Sequence, residues 1–134
     1  MAHILLIDDH ENLREVLGIF LKEQGHTIIE ACDGHQAIQC YKDGKFDLVI
    51  TDMLMPNKDG VETIAELRRI NAGVHVIAIS GGGRLVSPEY CLEIAKSLGI
   101  KQVLKKPFSL HQLEDCIVTE LALRGTPKVV RVES

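Results

Sequence analysis

The chain has 134 residues, of which 46% are hydrophobic and 25% charged, and its formal net charge is −4. This size and apolar content suit one compact domain. The acidic balance and the short Lys/Arg clusters argue against direct binding of nucleic acid. The longest apolar stretches are far shorter than the roughly 20 residues of a membrane-spanning helix. We therefore predict that neither nucleic acid nor membrane is a partner.

The N-terminus lacks the features of a signal peptide. Residues 1–3 read Met-Ala-His and lead directly into an apolar run followed by acidic residues, without a basic segment or a small-residue cleavage site. This start predicts a cytoplasmic protein.

The cysteines and histidines show no spacing typical of a metal site. The four cysteines are Cys32, Cys40, Cys91 and Cys116, and no Cys-x-x-Cys pair occurs. They are predicted to be buried free thiols. The six histidines lie apart along the chain, and we predict ordinary structural or surface positions for all of them. They are His3, His10, His26, His35, His75 and His111.

Apolar runs alternate with stretches of helical periodicity along the chain. The predicted strands are residues 4–7, 27–31, 46–51, 74–80 and 100–104. The first helix carries the apolar set Leu13, Val16, Leu17, Phe20 and Leu21 and stops at Gly25. The second carries Ala37, Ile38 and Tyr41, and the third carries Val61, Ile64 and Ala65 with Leu67 at the edge.

The last two helices have recognisable starts. Ser87-Pro88 predicts an N-cap followed by proline at the first helical position, and this fourth helix should end at Gly99. Ser109 with Gln112 forms a capping-box pattern for the fifth helix. Five strands alternating with five helices favour parallel strands joined by crossover helices. The fold class is therefore predicted as a doubly wound α/β sheet.

Polar residues cluster where the predicted strands end. Asp8 and Asp9 follow strand one, Asp52 closes strand three, Ser80 closes strand four, and strand five runs into Lys106. Ligands of doubly wound sheets bind at the carboxyl ends of the strands. Three carboxylates brought together there would repel one another unless a cation lay among them. Oxygen ligands of this kind suit Mg²⁺, so the sequence predicts a magnesium site with a nearby lysine and hydroxyl.

These strand-end motifs resemble those of response regulator receiver domains, and the resemblance covers nearly the whole chain up to the last helix. The motifs are Asp8-Asp9, Asp-Met-Leu-Met-Pro-Asn-Lys-Asp-Gly at 52–60, Ser80-Gly81 and Lys106-Pro107-Phe108. The resemblance implies a stand-alone receiver, similar to chemotaxis regulators, with a five-stranded parallel sheet of flavodoxin-like order 2-1-3-4-5.

The resemblance also implies roles at the site. Asp52 would accept a phosphoryl group from the phosphohistidine of a histidine kinase or a histidine phosphotransfer protein. Mg²⁺ would be held by Asp9, Asp52 and the main-chain carbonyl of Leu54, with Asp8 helping through a water. The output would be phosphorylation-dependent binding of a downstream protein, and the only catalysis would be phosphorylation and dephosphorylation of the domain itself.

Lys106 and Ser80 would contact the phosphoryl oxygens in such a domain. The Lys106-Pro107 peptide bond is implied to be cis. One position departs from the family pattern, since Val103 stands where an aromatic residue or histidine is usual. Because valine cannot make the large side-chain rotation of an aromatic residue, we hypothesise that the loop at 81–87 is the moving part instead.

Boundaries and alternative functions complete the expectations. The receiver is predicted to span 1–125, with 126–134 as a tail that is a short added strand, a partner-binding arm or disordered. A second class of function is a phosphohydrolase of the haloacid-dehalogenase type, which is disfavoured because Leu54 stands where a second aspartate is needed. A third is a receiver-like scaffold that is never phosphorylated.

Overall fold

The computed structural model describes residues 2–53, 60–80 and 88–123, without the side chains of Pro88, Cys91 and Leu92. The strands are β1 (His3–Ile7), β2 (Thr27–Ala31), β3 (Leu48–Asp52), β4 (Val76–Ser80) and β5 (Gln102–Lys105). The helices are α1 (Glu11–Glu23), α2 (Gly34–Asp43), α3 (Gly60–Ile70), α4 (Pro88–Ser97) and α5 (Leu110–Leu123). All ten predicted elements are present, with ends that differ by up to two residues in most cases.

The five strands form one parallel sheet in the order β2-β1-β3-β4-β5. Each neighbouring pair runs parallel, and the register places Asp52 opposite Ile79 and Ser80 opposite Lys105. The predicted fold class and strand order are therefore confirmed. This order also brings the carboxyl ends of β1, β3, β4 and β5 side by side.

Helices cover both faces of the sheet, so the core has two parts. On one face, Leu5 and Ile7 pack with residues of α2, α3 and α4. On the other, Ile4 and Leu6 pack with residues of α1 and α5. Every residue of β3 and of β4 is buried. Strands that are buried on both faces need continuous apolar runs, which is why these segments do not alternate in polarity.

Two predicted helix faces are slightly misplaced. Val16 is 53% exposed, whereas Leu17 and Leu21 are buried. Val16 precedes Leu17 by one residue, which turns it about 100° around the helix axis. In α3, Ile64 and Leu67 are fully buried while Val61 and Ala65 are only partly so. Leu67 therefore lies near the centre of the buried face, not at its edge.

The helix boundaries at Gly25, Gly99 and Ser109 follow the predicted signals, whereas the predicted N-cap Ser87 lies outside the described residues. Ser109 Oγ accepts a hydrogen bond from Gln112 N–H at 3.0 Å, and Gln112 Oε1 accepts one from Ser109 N–H at 2.8 Å. The capping box at the start of α5 is thus confirmed with both of its bonds. Gly25 and Gly99 follow α1 and α4 with φ of 95° and 78°, a region that favours glycine.

The prediction for the cysteines is correct in part. Cys32, Cys40 and Cys116 are free thiols, but Cys32 is exposed and the other two are partly buried. Burial was therefore the wrong expectation for Cys32, which lies directly after β2 at the rim of the sheet. Burial raises the pKa of the Cys116 thiol, and the nearby Asp115 and Glu120 carboxylates raise it further, which disfavours the nucleophilic thiolate.

None of the described helices combines the length and the apolar character that crossing a membrane requires.

Candidate functional site

The parallel strands gather the predicted carboxylates at one edge of the sheet. Asp52 is the last residue of β3, and Asp8 directly follows β1. Asp8 has no exposed surface and Asp52 is 5% exposed, whereas Asp9 is partly buried. One side-chain ligand atom from each of Asp8, Asp9, His10 and Asp52 lies within 4.8 Å of all the others. The three predicted acidic residues thus form one compact cluster.

Lys106 lies directly against this cluster. Its Nζ atom donates a hydrogen bond to Asp52 Oδ2 at 3.0 Å, and the two side chains are 23% and 7% exposed. The Lys106-Pro107 peptide bond is cis, as predicted. The main-chain N–H of Lys106 donates to Ser80 O at 2.9 Å. Ser80 itself is 2% exposed and follows Ile79, the register partner of Asp52.

The surroundings of Asp8 disfavour the charged form of its carboxyl group. Its Oδ1 accepts a hydrogen bond from His10 N–H at 2.8 Å, but its buried Oδ2 has no hydrogen-bond partner within the described residues. Burial raises the pKa of Asp8, and the negative charge of Asp52 raises it further. The His10 N–H bond and the charge of Lys106 act in the opposite direction without cancelling the effect of burial.

A divalent cation fits this set of residues. The buried, unpartnered Asp8 Oδ2 is the kind of oxygen that a cation would satisfy, and Asp9 Oδ1 is likewise a buried atom without a hydrogen bond in the described part of the chain. Three carboxylates within a few ångströms carry more negative charge than one lysine can neutralise. The cluster could therefore hold a metal ion.

His10 was missed by the sequence interpretation. Its Nδ1 lies 3.4 Å from Asp8 Oδ1 and 3.4 Å from Asp9 Oδ1. The sequence predicts a structural or surface position, and His10 is 65% exposed, but the wide spacing of the histidines gives no hint that its ring lies beside the acidic pair. The informative signal was instead the position of His10 immediately after the acidic pair, at the start of α1.

Arg14 fixes the main chain of the acidic pair. Its Nη1 donates to the carbonyl oxygen of Asp8 at 2.6 Å, and its Nε donates to Glu30 Oε1 at 3.0 Å. Glu30 belongs to β2, and Gly18 of α1 leaves room for it, since a Cβ at Gly18 would lie 3.1 Å from Glu30 Oε2. The guanidinium group therefore connects α1, β2 and the turn that carries Asp8. The sequence interpretation did not single out this contact.

Gly60 brings the start of α3 against the end of β3. Its N–H donates to Met53 O at 3.1 Å. A Cβ built at Gly60 would lie 2.6 Å from Met53 Cα and closer still to the carbonyl oxygen of Asp52. Only a residue without a side chain permits this approach.

Some predicted site features lie outside the described residues. These are the Leu54 carbonyl, Gly81 and the loop at 81–87. Val103, which replaces the usual aromatic residue, is partly buried in β5 and packs against the core beside α4.

Comparisons with known proteins agree with this arrangement. The family model of the response regulator receiver domain matches residues 4–118. The chain belongs to the response regulator receiver family. It is 33% identical to the chemotaxis protein CheY of Halobacterium salinarum over 114 residues, which are 85% of this chain and 92% of that protein. It is 28% identical to sporulation initiation phosphotransferase F of Bacillus subtilis over 122 residues, 91% and 95% of the two chains.

A solved structure has the same fold. The chemotaxis protein CheY4 of Vibrio cholerae superposes with a TM-score of 0.81 at 25% identity, covering 90% of this chain and 98% of that one. The receiver is therefore a signalling module of two-component systems, and the interpretation as a dehalogenase-type phosphohydrolase is not supported.

Proposed function

We propose that this receiver accepts a phosphoryl group on Asp52 in a Mg²⁺-dependent reaction and signals by binding a partner in a phosphorylation-dependent way. The observation that carries the proposal is the contact of Lys106 Nζ with Asp52 Oδ2 at 3.0 Å, beside two further carboxylates. A carboxylate held between a lysine and a cation site has what phosphoryl transfer needs, namely positioning and neutralisation of charge.

The transfer itself is a displacement at phosphorus. An Asp52 carboxylate oxygen forms the new P–O bond, and the bond from phosphorus to the leaving group breaks with its electron pair. In the proposed reaction the donor is a phosphohistidine of a histidine kinase or a histidine phosphotransfer protein, so the leaving group is an imidazole. Bound at Asp8, Asp9, Asp52 and the Leu54 carbonyl, Mg²⁺ would neutralise negative charge on the oxygens of the donor.

The remaining roles fall to groups that surround Asp52. Lys106 is close enough to transfer its hydrogen bond from the carboxylate to a phosphoryl oxygen. Ser80 follows the strand residue that pairs with Asp52, which suits its hydroxyl to donate to another oxygen. The added group carries a charge of about −1.5 to −2, and this charge biases the surrounding loops. A downstream protein then distinguishes the two states through its different affinity for each.

The direct test is labelling by a small phosphoryl donor. The chain is incubated with acetyl phosphate and MgCl₂, and its intact mass is measured. We expect a single added phosphoryl group, dependent on MgCl₂ and absent from Asp52→Asn. Asp33→Asn is the matched control, since Asp33 lies two residues beyond the end of β2 and caps α2, a task that asparagine performs as well.

Two outcomes would count against the proposal. Labelling of Asp52→Asn at the wild-type level would place the phosphoryl group elsewhere. No labelling by acetyl phosphate or by any purified kinase would leave the receiver as a scaffold that is not phosphorylated.

The boundaries of the domain are part of the proposal. The receiver is taken to span 1–125, with 126–134 as a tail outside it, and the cytoplasmic location remains a prediction from the sequence. A chain that ends at residue 125 should be labelled by acetyl phosphate as well as the full chain.

A further inference from the structure

We propose that His10 is a nitrogen ligand of the cation at this site and makes the receiver prefer Mn²⁺ to Mg²⁺. This inference rests on the proposed metal site and goes beyond it, since the magnesium set consists of oxygen ligands alone. It gives His10, which the sequence predicts to be an ordinary structural or surface residue, a role in selecting the metal ion.

The position of the imidazole is the first support. His10 Nδ1 lies 3.4 Å from Asp8 Oδ1 and 3.4 Å from Asp9 Oδ1. Two donor atoms at adjacent positions around one octahedral ion lie about 3 Å apart when each bond is about 2.1 Å long. Two at tetrahedral positions with similar bonds lie about 3.4 Å apart. At 3.4 Å from both carboxylate oxygens, the nitrogen matches the tetrahedral separation and lies only about 0.4 Å beyond the octahedral one, so a small shift of the exposed ring would let it share an ion with them.

The main chain around His10 explains this position. His10 is the N-cap residue of α1, and its N–H donates to Asp8 Oδ1 at 2.8 Å. This bond holds the main chain of His10 against the acidic pair. The side chain makes no capping hydrogen bond and is 65% exposed, so the ring can adjust to an incoming ion. The main chain of His10 thus places the imidazole at the site, and neither ring nitrogen is used in capping the helix.

Asp8 supplies an independent sign of a cation. Its side chain has no exposed surface, and its Oδ2 is without a hydrogen-bond partner among the described residues. A fully buried carboxylate oxygen with no partner costs free energy that a bound cation would recover. Because His10 is anchored to the other oxygen of the same carboxylate, an ion at Asp8 lies within reach of the imidazole.

The combination of donors decides which ion fits. Carboxylates suit Mg²⁺, Ca²⁺ and Mn²⁺, whereas imidazole suits the first-row transition ions. Mg²⁺ usually keeps water at the positions that carboxylates do not fill, so an imidazole adds little to its binding. Mn²⁺ accepts both kinds of donor. Three carboxylates with one imidazole therefore match Mn²⁺ better than Mg²⁺.

The test measures binding and ligand identity separately. The full-length chain and His10→Gln are titrated calorimetrically with MnCl₂ and, in separate experiments, with MgCl₂. We expect His10→Gln to bind Mn²⁺ about tenfold more weakly, with a change of less than about twofold for Mg²⁺. His111→Gln is the matched control, since His111 is also exposed and does not belong to the acidic cluster. It should leave both affinities unchanged.

A spectroscopic readout shows the ligand directly. Electron spin-echo envelope modulation of bound Mn²⁺ detects ¹⁴N nuclei that are magnetically coupled to the ion, as the nitrogen of a histidine ligand would be. The wild-type chain and His111→Gln should show a ¹⁴N coupling that His10→Gln lacks. A wild-type complex without nitrogen coupling, or a coupling that survives in His10→Gln, overturns the assignment. Equal losses of Mn²⁺ and Mg²⁺ affinity in His10→Gln would show a purely structural role and overturn it as well.

Failure of the His10 assignment can be distinguished from failure of the proposed phosphorylation of Asp52. If His10 is not a ligand, acetyl phosphate with MgCl₂ still labels both the wild-type chain and His10→Gln. If Asp52 is not a phosphoryl acceptor, neither ion supports labelling, whatever the nitrogen signal shows.

Discussion

Asp8 is the residue of the site whose pKa is most clearly shifted by its surroundings. Its carboxyl group is fully buried beside Asp52, and it receives one hydrogen bond from the main chain of His10. Burial raises the pKa of Asp8 above that of the unfolded chain. The folded state therefore binds this proton more tightly than the unfolded state, and the stability of the metal-free protein falls as pH rises from the unfolded pKa through the folded one.

Asp8→Asn should accordingly stabilise the metal-free protein at neutral pH. Asparagine keeps an oxygen for His10 N–H but carries no charge, so we expect a gain of about 1 kcal/mol in the free energy of unfolding at pH 7 in EDTA. The gain should disappear below the ordinary aspartate pKa of about 3.9, where Asp8 is protonated in both states. Urea unfolding across this range measures it.

The control for Asp8→Asn is Asp115→Asn, since Asp115 is exposed on α5. Its stability should change little at any pH. If Asp8→Asn were as stable as wild type at pH 7, or less stable, the burial of an unfavourable charge at Asp8 would be contradicted.

At the scale of elements, the contact between the end of β3 and the start of α3 matters most. Gly60 packs against the main chain of Asp52 and Met53, and its N–H bonds to Met53 O. Helix α3 therefore supports the end of β3 through main-chain atoms. A methyl group there cannot be accommodated by turning a flexible side chain, because the atoms in its way belong to the backbone.

We expect Gly60→Ala to lower the free energy of unfolding by about 2–4 kcal/mol, since main-chain atoms must move to admit the methyl group. Labelling by acetyl phosphate should slow as well, because the displaced atoms include the carbonyl of Asp52, the proposed acceptor. Gly73→Ala is the control, since its Cβ would meet only Asn71 Oδ1 at 3.5 Å. Equal stabilities for the two variants would show that α3 readily moves away from the strand.

The elements also show which sequence signals suffice. Gly25, Gly99 and the Ser109–Gln112 capping box set helix ends through local conformation, so the residues themselves predict those ends. The exposure of Val16 and Cys32 depends on how α1 and the rim of the sheet meet their neighbours. Local periodicity does not contain that information.

The whole molecule is organised around one edge of its sheet. Strand-end position predicted that Asp8, Asp9, Asp52 and Lys106 would meet, because parallel strands place their carboxyl ends together. The same rule could not find His10 or Arg14, since His10 lies in the turn before α1 and Arg14 reaches the site from α1 by a long side chain. Residues of this kind are predictable only once the path of the chain is known.

The ion pair between Lys106, which follows β5, and Asp52 at the end of β3 gives a prediction at this scale. Lys106→Met leaves the buried Asp52 carboxylate beside Asp8 without its cation, so we expect a loss of about 1–3 kcal/mol in stability in EDTA. Adding MgCl₂ should restore more stability to Lys106→Met than to wild type, because the more negative site binds a cation more tightly. Thermal melting with and without MgCl₂ measures both effects.

The neighbouring Lys105 provides the matched control for Lys106→Met. Lys105 is exposed at the end of β5, and Lys105→Met should behave as wild type in EDTA and in MgCl₂. If Lys106→Met and Lys105→Met melted alike in EDTA, the ion pair with Asp52 would contribute nothing measurable.

The bond between Lys106 and Asp52 means that the resting receiver already contains its own counter-ion. A phosphate compound that enters the cleft meets the Lys106 ammonium group already bound to Asp52. Lys106 must leave the Asp52 carboxylate before it can bind the phosphate. If Asp52 accepts the phosphoryl group as proposed, we expect this cost to weigh more on a small, weakly bound phosphate than on a donor held in place by a protein surface. The internal ion pair would then reduce false signals without any part of the fold having to close.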